Sequence, residues 1–269
     1  YTSLYEVYNN GNWTWNKLEE IAVDATKDSD GDNEIDQFGF GGVKEYWKTA
    51  ISLGYSNGAQ ITDFNENGRR IFSFDNEKAY AALDFLKTLW KEKNAFGSAI
   101  VHQFRDGKVA MMQGELWRQG MFKDNISDEW GIVPMPKGPD VDKHQIQGYL
   151  KAFIMPANVK EPEKLVKLID FLFPVEDYNA LFENYVFENA SDRESAGVMQ
   201  DIAQKYEGLA YDLEQQLGNT TDGEPKYKAP INAAVRQVMW FGKSPSAAVE
   251  EVKPTIQSQL DEMFKDLYN

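Results

Sequence analysis

Residues Thr14 to Phe40 read TWNKLEEIAVDATKDSDGDNEIDQFGF, and three kinds of local structure follow one another within them. Thr14 is a good N-cap, and Leu18, Ile21, Ala22 and Ala25 fall at i, i+3, i+4 and i+7, which predicts an amphipathic helix. Asp28 to Asp36 is too acidic and too rich in turn formers to continue it. Phe38 to Gly42 is then a Gly-rich stretch that begins a new element.

Aspartates stand at positions 28, 30, 32 and 36 of the acidic segment. In a tight loop this spacing turns side-chain oxygens toward one point, and the backbone carbonyl of Glu34 would add another, as the seventh residue of an EF-hand loop does. Asp28, Asp30, Asp32, Glu34, Asp36 and Gln37 are therefore the candidate ligands of a hard divalent cation, with calcium as the expected ion. The pattern departs from an EF-hand at two places. Asn33 holds the sixth position instead of Gly, although Asn tolerates the left-handed region better than most residues. Gly39 holds the twelfth instead of a bidentate Glu, so Gln37 or water has to complete the shell. The competing reading is a solvated acidic turn. Nothing beside the loop resembles a nucleophile, so an ion there would be structural.

Working outward, Tyr1 to Asn12 alternates weakly and reads as a turn at Asn9 to Asn12. A helix is predicted at about Lys44 to Leu53. Asp75 opens another that carries Ala79, Leu83, Leu86 and Trp90. Phe104 to Gly107 reads as a turn before a strand at Lys108 to Met112. Trp130 to Met135 and Gly148 to Met155 read as two more strands. Pro162 suits the first turn of a helix with Leu165, Leu168, Ile169 and Leu172. Residues 215–230 read as a polar surface loop. The last helix starts at Ser244-Pro245 and is expected to bury Val249, Val252, Ile256, Leu260, Met263 and Leu267, with a kink at Pro254. Helices and strands interleave, which predicts an α/β layered fold.

The 269 residues allow one large domain or two ordinary ones, and 42% hydrophobic content supports a packed core. A net charge of −15 argues against nucleic acid or an anionic membrane surface as partner. The absence of cysteine excludes disulfides, zinc-thiolate sites, iron–sulfur clusters and thiol nucleophiles. No apolar run approaches the ~18 residues of a membrane span. Residue 1 is Tyr, and no signal-peptide pattern opens the chain.

Catalytic constellations are scarce. His102 and His144 have no metal-binding spacing, and no nucleophile elbow is present. Gly242-Lys243-Ser244 lacks the leading Gly of a phosphate loop, and Gly39-Phe40-Gly41 lacks the third Gly of a dinucleotide fingerprint. Aromatic residues are more informative. Trp13, Trp15, Trp47, Trp117, Trp130 and Trp240 stand near loops or element ends, and Trp90 stands mid-helix. Such rings either fill the core or stack on the apolar faces of sugars while polar neighbours bond the hydroxyls. Tyr46-Trp47 with Lys44 and Glu45, and Glu115, Trp117 and Arg118, pair ring with polar group most closely.

In order and spacing, four segments resemble the extracellular solute-binding proteins of ABC importers, the family that includes maltose-binding protein. They are Thr14 to Phe40, FRDGKVAMMQGELW (Phe104 to Trp117), GIVPMPKGP (Gly131 to Pro139) and SPSAAVEEVKPTIQSQLDE (Ser244 to Glu262). The resemblance implies an α/β, periplasmic-binding-protein-like (type II) fold, mainly the C-terminal lobe plus a return segment of the N-terminal lobe. Residues 1–148 and 187–269 would form the second lobe. Residues 149–186 would belong to the first, most of which is absent from this chain, since family members are usually longer.

Ligand in such proteins lies between the lobes, and hinge closure signals to the permease. By motif, Tyr46 and Trp47 match an aromatic pair facing the ligand, Glu115, Trp117 and Arg118 a ligand-facing turn, and Asn232 a third contact region. Asn232 and Ala233 replace the sugar-binding aromatic there. The acidic loop is a metal site in some relatives. The implied partners are a small-molecule solute, with a carbohydrate expected, and the transmembrane subunits of an ABC permease. A polyol, a phosphorylated polyol or a peptide-like solute are the other ligands weighed. The implied location is extracellular, as a cell-surface lipoprotein or in the periplasm, with membrane contact only through a lipid anchor outside this chain. The alternatives are a secreted carbohydrate-active enzyme, which needs a paired carboxylate near Trp117, and a calcium-stabilised scaffold module, which binds no small molecule.

Overall fold

Local capping sets most helix starts. The computed structural model describes residues 3–42, 46–98, 101–123, 125–148, 155–174, 183–186, 188–205, 209–211 and 228–267. Helix α1 (Leu4–Asn9) starts at Ser3, whose Oγ accepts from the Tyr5 backbone N–H. The weak alternation of this stretch thus gives way to a helix, which ends at the expected turn, where Gly11 has φ +71°. Helix α2 (Trp15–Ala25) starts at Thr14, whose Oγ1 accepts from Lys17 N at 3.4 Å. Strand β1 (Phe38–Gly42) follows the acidic loop and lies against α2. A Cβ on Gly39 would stand 1.8 Å from the Ala22 carbonyl oxygen, so only glycine allows this approach.

Helix α3 (Tyr46–Ser56) is buried from Trp47 to Ser56 except at Lys48. A hairpin, β2 (Thr62–Phe64) and β3 (Arg70–Phe72), turns at Asn65, whose Oδ1 accepts from the Asn67 and Arg69 N–H groups. Helix α4 (Glu77–Lys87) is capped by Asn76, one residue later than the Asp75 start expected, and runs into a π-helical turn at Thr88–Glu92 that carries Trp90. Strand β4 (Phe96–Ser98), helix α5 (Val101–Arg105) and strand β5 (Val109–Met112) come next, then a 3₁₀ turn at Leu116–Arg118 and helix α6 (Gln119–Lys123). Strands β4, β1 and β5 form a parallel sheet in that order, with Phe40 opposite both Phe96 and Met111. Parallel pairing requires crossover connections, and α3 with α4 and then α5 fill that role.

Strand β6 (Ile146–Gly148) pairs in parallel with β7 (Leu209–Tyr211). Between them lie helix α7 (Pro162–Leu172), with Pro162 in its first turn as expected, and helix α8 (Arg193–Lys205). Helix α9 (Lys228–Phe241) packs on α3, α4 and α10 (Pro245–Met263). The expected surface loop therefore already becomes helix at Lys228, and 215–227 lie outside the described residues. The core joins Leu18, Leu53, Phe74, Leu83, Leu86, Phe96, Met239, Ile256 and Leu260. Full burial of each such side chain contributes about 1.5–3 kcal/mol.

Two further expectations fail. Trp130 to Met135 forms no strand. Pro134 and Pro136 have no N–H to donate to a ladder, and the segment is held instead by Lys137 N to Trp13 O, Trp15 N to Lys137 O and Trp13 Nε1 to Pro134 O. Leu267 is 77% exposed, because α10 stops at Met263 and Phe264 caps it. Of the strand expected at Gly148 to Met155, residues 149–154 lie outside the described residues.

Candidate functional site

Because β1 and β5 are neighbours and parallel, the chain leaves both at the same sheet edge. Ligands of open α/β sheets collect at this carboxyl edge. Tyr46 and Trp47 begin the helix after β1, and Glu115, Trp117 and Arg118 follow β5. The topology thus brings five of the six candidate ligand residues to one edge. Gln113 fastens the two exits together: its Oε1 accepts from Thr49 Oγ1 at 3.2 Å, and its Nε2 donates to Ser52 Oγ at 3.2 Å. Gly42 makes room for this clamp, since a Cβ there would lie 2.0 Å from Thr49 Oγ1. Sequence reasoning missed Gln113. The only available signal was a lone amide directly after an apolar strand.

Individual side chains differ from one another. Tyr46 is half-buried. Its ring meets Trp240 edge-on at 4.8 Å between centroids, Phe96 at 5.7 Å and Trp90 at 6.5 Å. Burial raises the Tyr46 phenol above its ordinary pKa, so it stays a protonated donor. Trp47 departs from the expectation of an open stacking face. Its ring is 5% exposed and belongs to the main core, because α3 is covered on nearly all sides rather than along one stripe. Arg118 Nε donates to Glu115 Oε2, so these two form an ion pair at the turn. The Trp117 side chain lies outside the described residues. Asn232 is half-buried in the first turns of α9. A shallow depression lined by Glu19, Glu20, Ile21, Val23, Asp24 and Lys93 contains no aromatic residue and none of these candidates.

His144 is 6% exposed, and its Nδ1 lies 2.9 Å from the Met135 carbonyl. Burial lowers its pKa, with the Met135 bond opposing, which makes it a neutral core residue rather than an acid or base. His102 sits on α5, away from any cluster of metal-ligating residues among the described ones.

The acidic loop is organised by its own carboxylates. Asp28 accepts from Gly31 N at 2.7 Å and from Asn33 N at 2.9 Å, Asp32 from Glu34 N at 2.8 Å, and Asp36 from Ser29 N at 2.7 Å. Asn33 adopts φ +71°, the left-handed conformation its position demands. Oxygens of Asp28, Asp30 and Asp36 all lie within 4.8 Å of one another. Donors across a calcium ion stand up to about 5 Å apart, so these three fit one. Asp32 and Glu34 are not part of that cluster, and the Gln37 amide nitrogen is engaged with the Ala25 carbonyl at 2.7 Å. Lys108 Nζ, 4.0 Å from Asp36, supplies some positive charge instead.

Residues 9–203 match the family model described as bacterial extracellular solute-binding protein. The chain belongs to that family. Its members are binding proteins rather than enzymes, which places this chain in a non-catalytic role outside the cytoplasmic membrane, at the cell surface or in the periplasm. Among the described residues no helix is long and apolar enough to cross a membrane. A maltooligosaccharide ABC transporter solute-binding lipoprotein of Streptococcus pneumoniae (strain R6) is 27% identical over 181 residues, 63% of this chain and 41% of that protein. The chain therefore spans well under half the length of this relative. Among solved structures, the sugar-binding protein MalE from Xanthomonas citri aligns over 96% of this chain and 66% of its own, with a TM-score of 0.65 and 15% identity. The MalE domain of Bdellovibrio bacteriovorus bound to maltotriose aligns over 92% and 66%, with a TM-score of 0.62 and 18% identity. These likenesses establish the periplasmic-binding-protein fold.

Proposed function

We propose that the chain is the solute-binding component of an ABC importer, takes a carbohydrate or oligosaccharide in a cleft between two lobes, and delivers it to a membrane permease. The observation that carries this reading is the convergence of Tyr46, Glu115, Trp117 and Arg118 on one carboxyl sheet edge, in a chain of this family. Aromatic faces and fixed polar groups bind sugars without performing chemistry on them. In this reading residues 1–148 and 187–269 build the second lobe, and 149–186 are a return segment that belongs to the first. Helix α7 supports that division. None of its residues is buried, and Phe171 is 80% exposed. An amphipathic helix needs a surface for its apolar stripe. A lipid anchor would hold the protein at the membrane.

Calorimetry against maltotriose, a polyol, a glycerophosphodiester and a short peptide tests the ligand class. Heat with the sugar alone supports the proposal, and heat with another class replaces the carbohydrate. Recovered product after incubation with oligosaccharide would instead make the chain an enzyme. We propose further that Asp28, Asp30 and Asp36 hold a structural calcium ion, with Asp32, the Glu34 carbonyl or Gln37 completing the shell after local adjustment. An ion bound only to the native state raises stability by mass action, so a chelator should lower the Tm. Identical melting with calcium and with chelator would refute it.

A further inference from the structure

We infer that Tyr46, Trp90 and Trp240 together form a sugar-stacking surface, with Trp240 supplying the aromatic face that Asn232 and Ala233 do not. This rests on the carbohydrate reading above and adds Trp90 and Trp240 to the Tyr46 that the resemblance supplied. Three observations carry it.

The first is exposure. Trp240 is 41% exposed and the adjacent Phe241 71%, at the end of a helix whose Val235, Val238 and Met239 are buried. A large aromatic left open beside others marks a contact surface more often than a lone exposed apolar residue does.

The second is rigidity. The Trp240 ring is fixed by Tyr46, nearly perpendicular at 85° and 4.8 Å, and by Trp90 at 5.2 Å. A ring held on two sides has already lost its rotamer freedom, so little is left to lose when a ligand stacks on it.

The third is polar accounting. Tryptophan N–H and tyrosine O–H groups away from bulk water normally find partners. The core tryptophans obey this: Trp15 Nε1 donates to Ser56 Oγ at 2.9 Å, and Trp13 Nε1 to the Pro134 carbonyl. The Tyr46 hydroxyl and the Trp90 and Trp240 indole N–H groups bond no other described residue, and none is a buried unpaired atom among the described residues, so they are open to water or to a ligand. One patch thus offers aromatic faces and three donors that bond no other described residue. A pyranose ring matches it, with C–H groups on its face and acceptor oxygens on its rim. An apolar peptide would leave the donors unpaired.

The Trp240 position is eight residues beyond Asn232 on α9, about 12 Å along the axis. The surface therefore extends to one side of the contact region that the family pattern indicates.

The test uses the chain as it stands, ¹⁵N-labelled, and follows the indole N–H signals of its seven tryptophans during titration with maltotriose into the millimolar range. Trp240→Ala and Trp90→Ala assign the signals. Tyr46→Phe keeps the ring packing and removes only the hydroxyl, which guards against a variant that fails to fold. The Trp90 and Trp240 signals should move together, and Trp240→Ala should weaken binding about tenfold or more, with Tyr46→Phe between it and the parent. Movement of other indoles while these two stay still overturns the assignment and leaves the carbohydrate reading standing. No movement of any indole overturns both.

Discussion

Replacing Gly42 with alanine tests the clamp that joins the two strand exits. The added Cβ would meet Thr49 Oγ1 at 2.0 Å, Phe96 Cζ at 2.9 Å and Thr49 Cβ at 3.1 Å. Thr49 is fully buried, so it cannot swing into solvent. Overpacking of this kind costs about 1–3 kcal/mol. Displacing Thr49 also breaks its bond to Gln113, for about 0.5–1.5 kcal/mol more. The sum, about 1.5–4.5 kcal/mol, is a large share of the ~5–15 kcal/mol that holds a domain folded. At roughly 2–4 °C per kcal/mol for a chain of this size, the Tm should fall by about 3–18 °C.

The diagnostic measurement is a double-mutant cycle. Thr49→Ala alone loses the Gln113 bond, but in the Gly42→Ala background it removes the closest of the three clashing atoms, Oγ1. The double variant should therefore be more stable than the sum of the single effects, by more than about 1 kcal/mol. Additive effects within ~0.3 kcal/mol, or a Gly42→Ala Tm within a degree of the parent, would refute the close approach and with it the shared anchoring of the two exits.

Three further outcomes are expected. Asp28→Asn should cost about 1 kcal/mol, since Asp28 accepts from both Gly31 and Asn33, and should also abolish any Tm difference between calcium and chelator; a chelator effect that survives in the variant moves the ion away from Asp28. Burial, partly offset by the Ser195 hydroxyl, raises the Tyr5 phenol from 10.0 to about 12, so its contribution to stability is complete below pH 10 and lost as the pH rises toward 12; Tyr5→Phe should flatten part of that alkaline decline in urea midpoints, and an unchanged slope would contradict it. Phe171→Ser should leave the Tm of this chain within about a degree, because the ring is 80% exposed, and a large drop would show that α7 already has a buried partner.

Much of the local structure was readable from the residues alone. Thr14 caps α2, Pro162 starts α7, Ser244 caps the last helix, and the carboxylates of the 28–36 segment wrap its backbone. Each of these depends on atoms a few positions apart, so the linear order already contains the interacting partners. Even Asn33 in the left-handed region follows from its own side chain and its place in the loop. What packs against what was decided by the tertiary structure. Tyr46 and Trp47 are neighbours in the chain, yet one ring borders an aromatic patch and the other is buried in the core, because helix periodicity turns them about 100° apart toward different surroundings. The meeting of Tyr46, Trp90 and Trp240, the Gln113 clamp and the docking of the Pro134 segment on Trp13 all join residues far apart in sequence. Propensity and spacing carry no information on such pairings; they are set when β1 is enclosed between β4 and β5 and the helices cover the sheet.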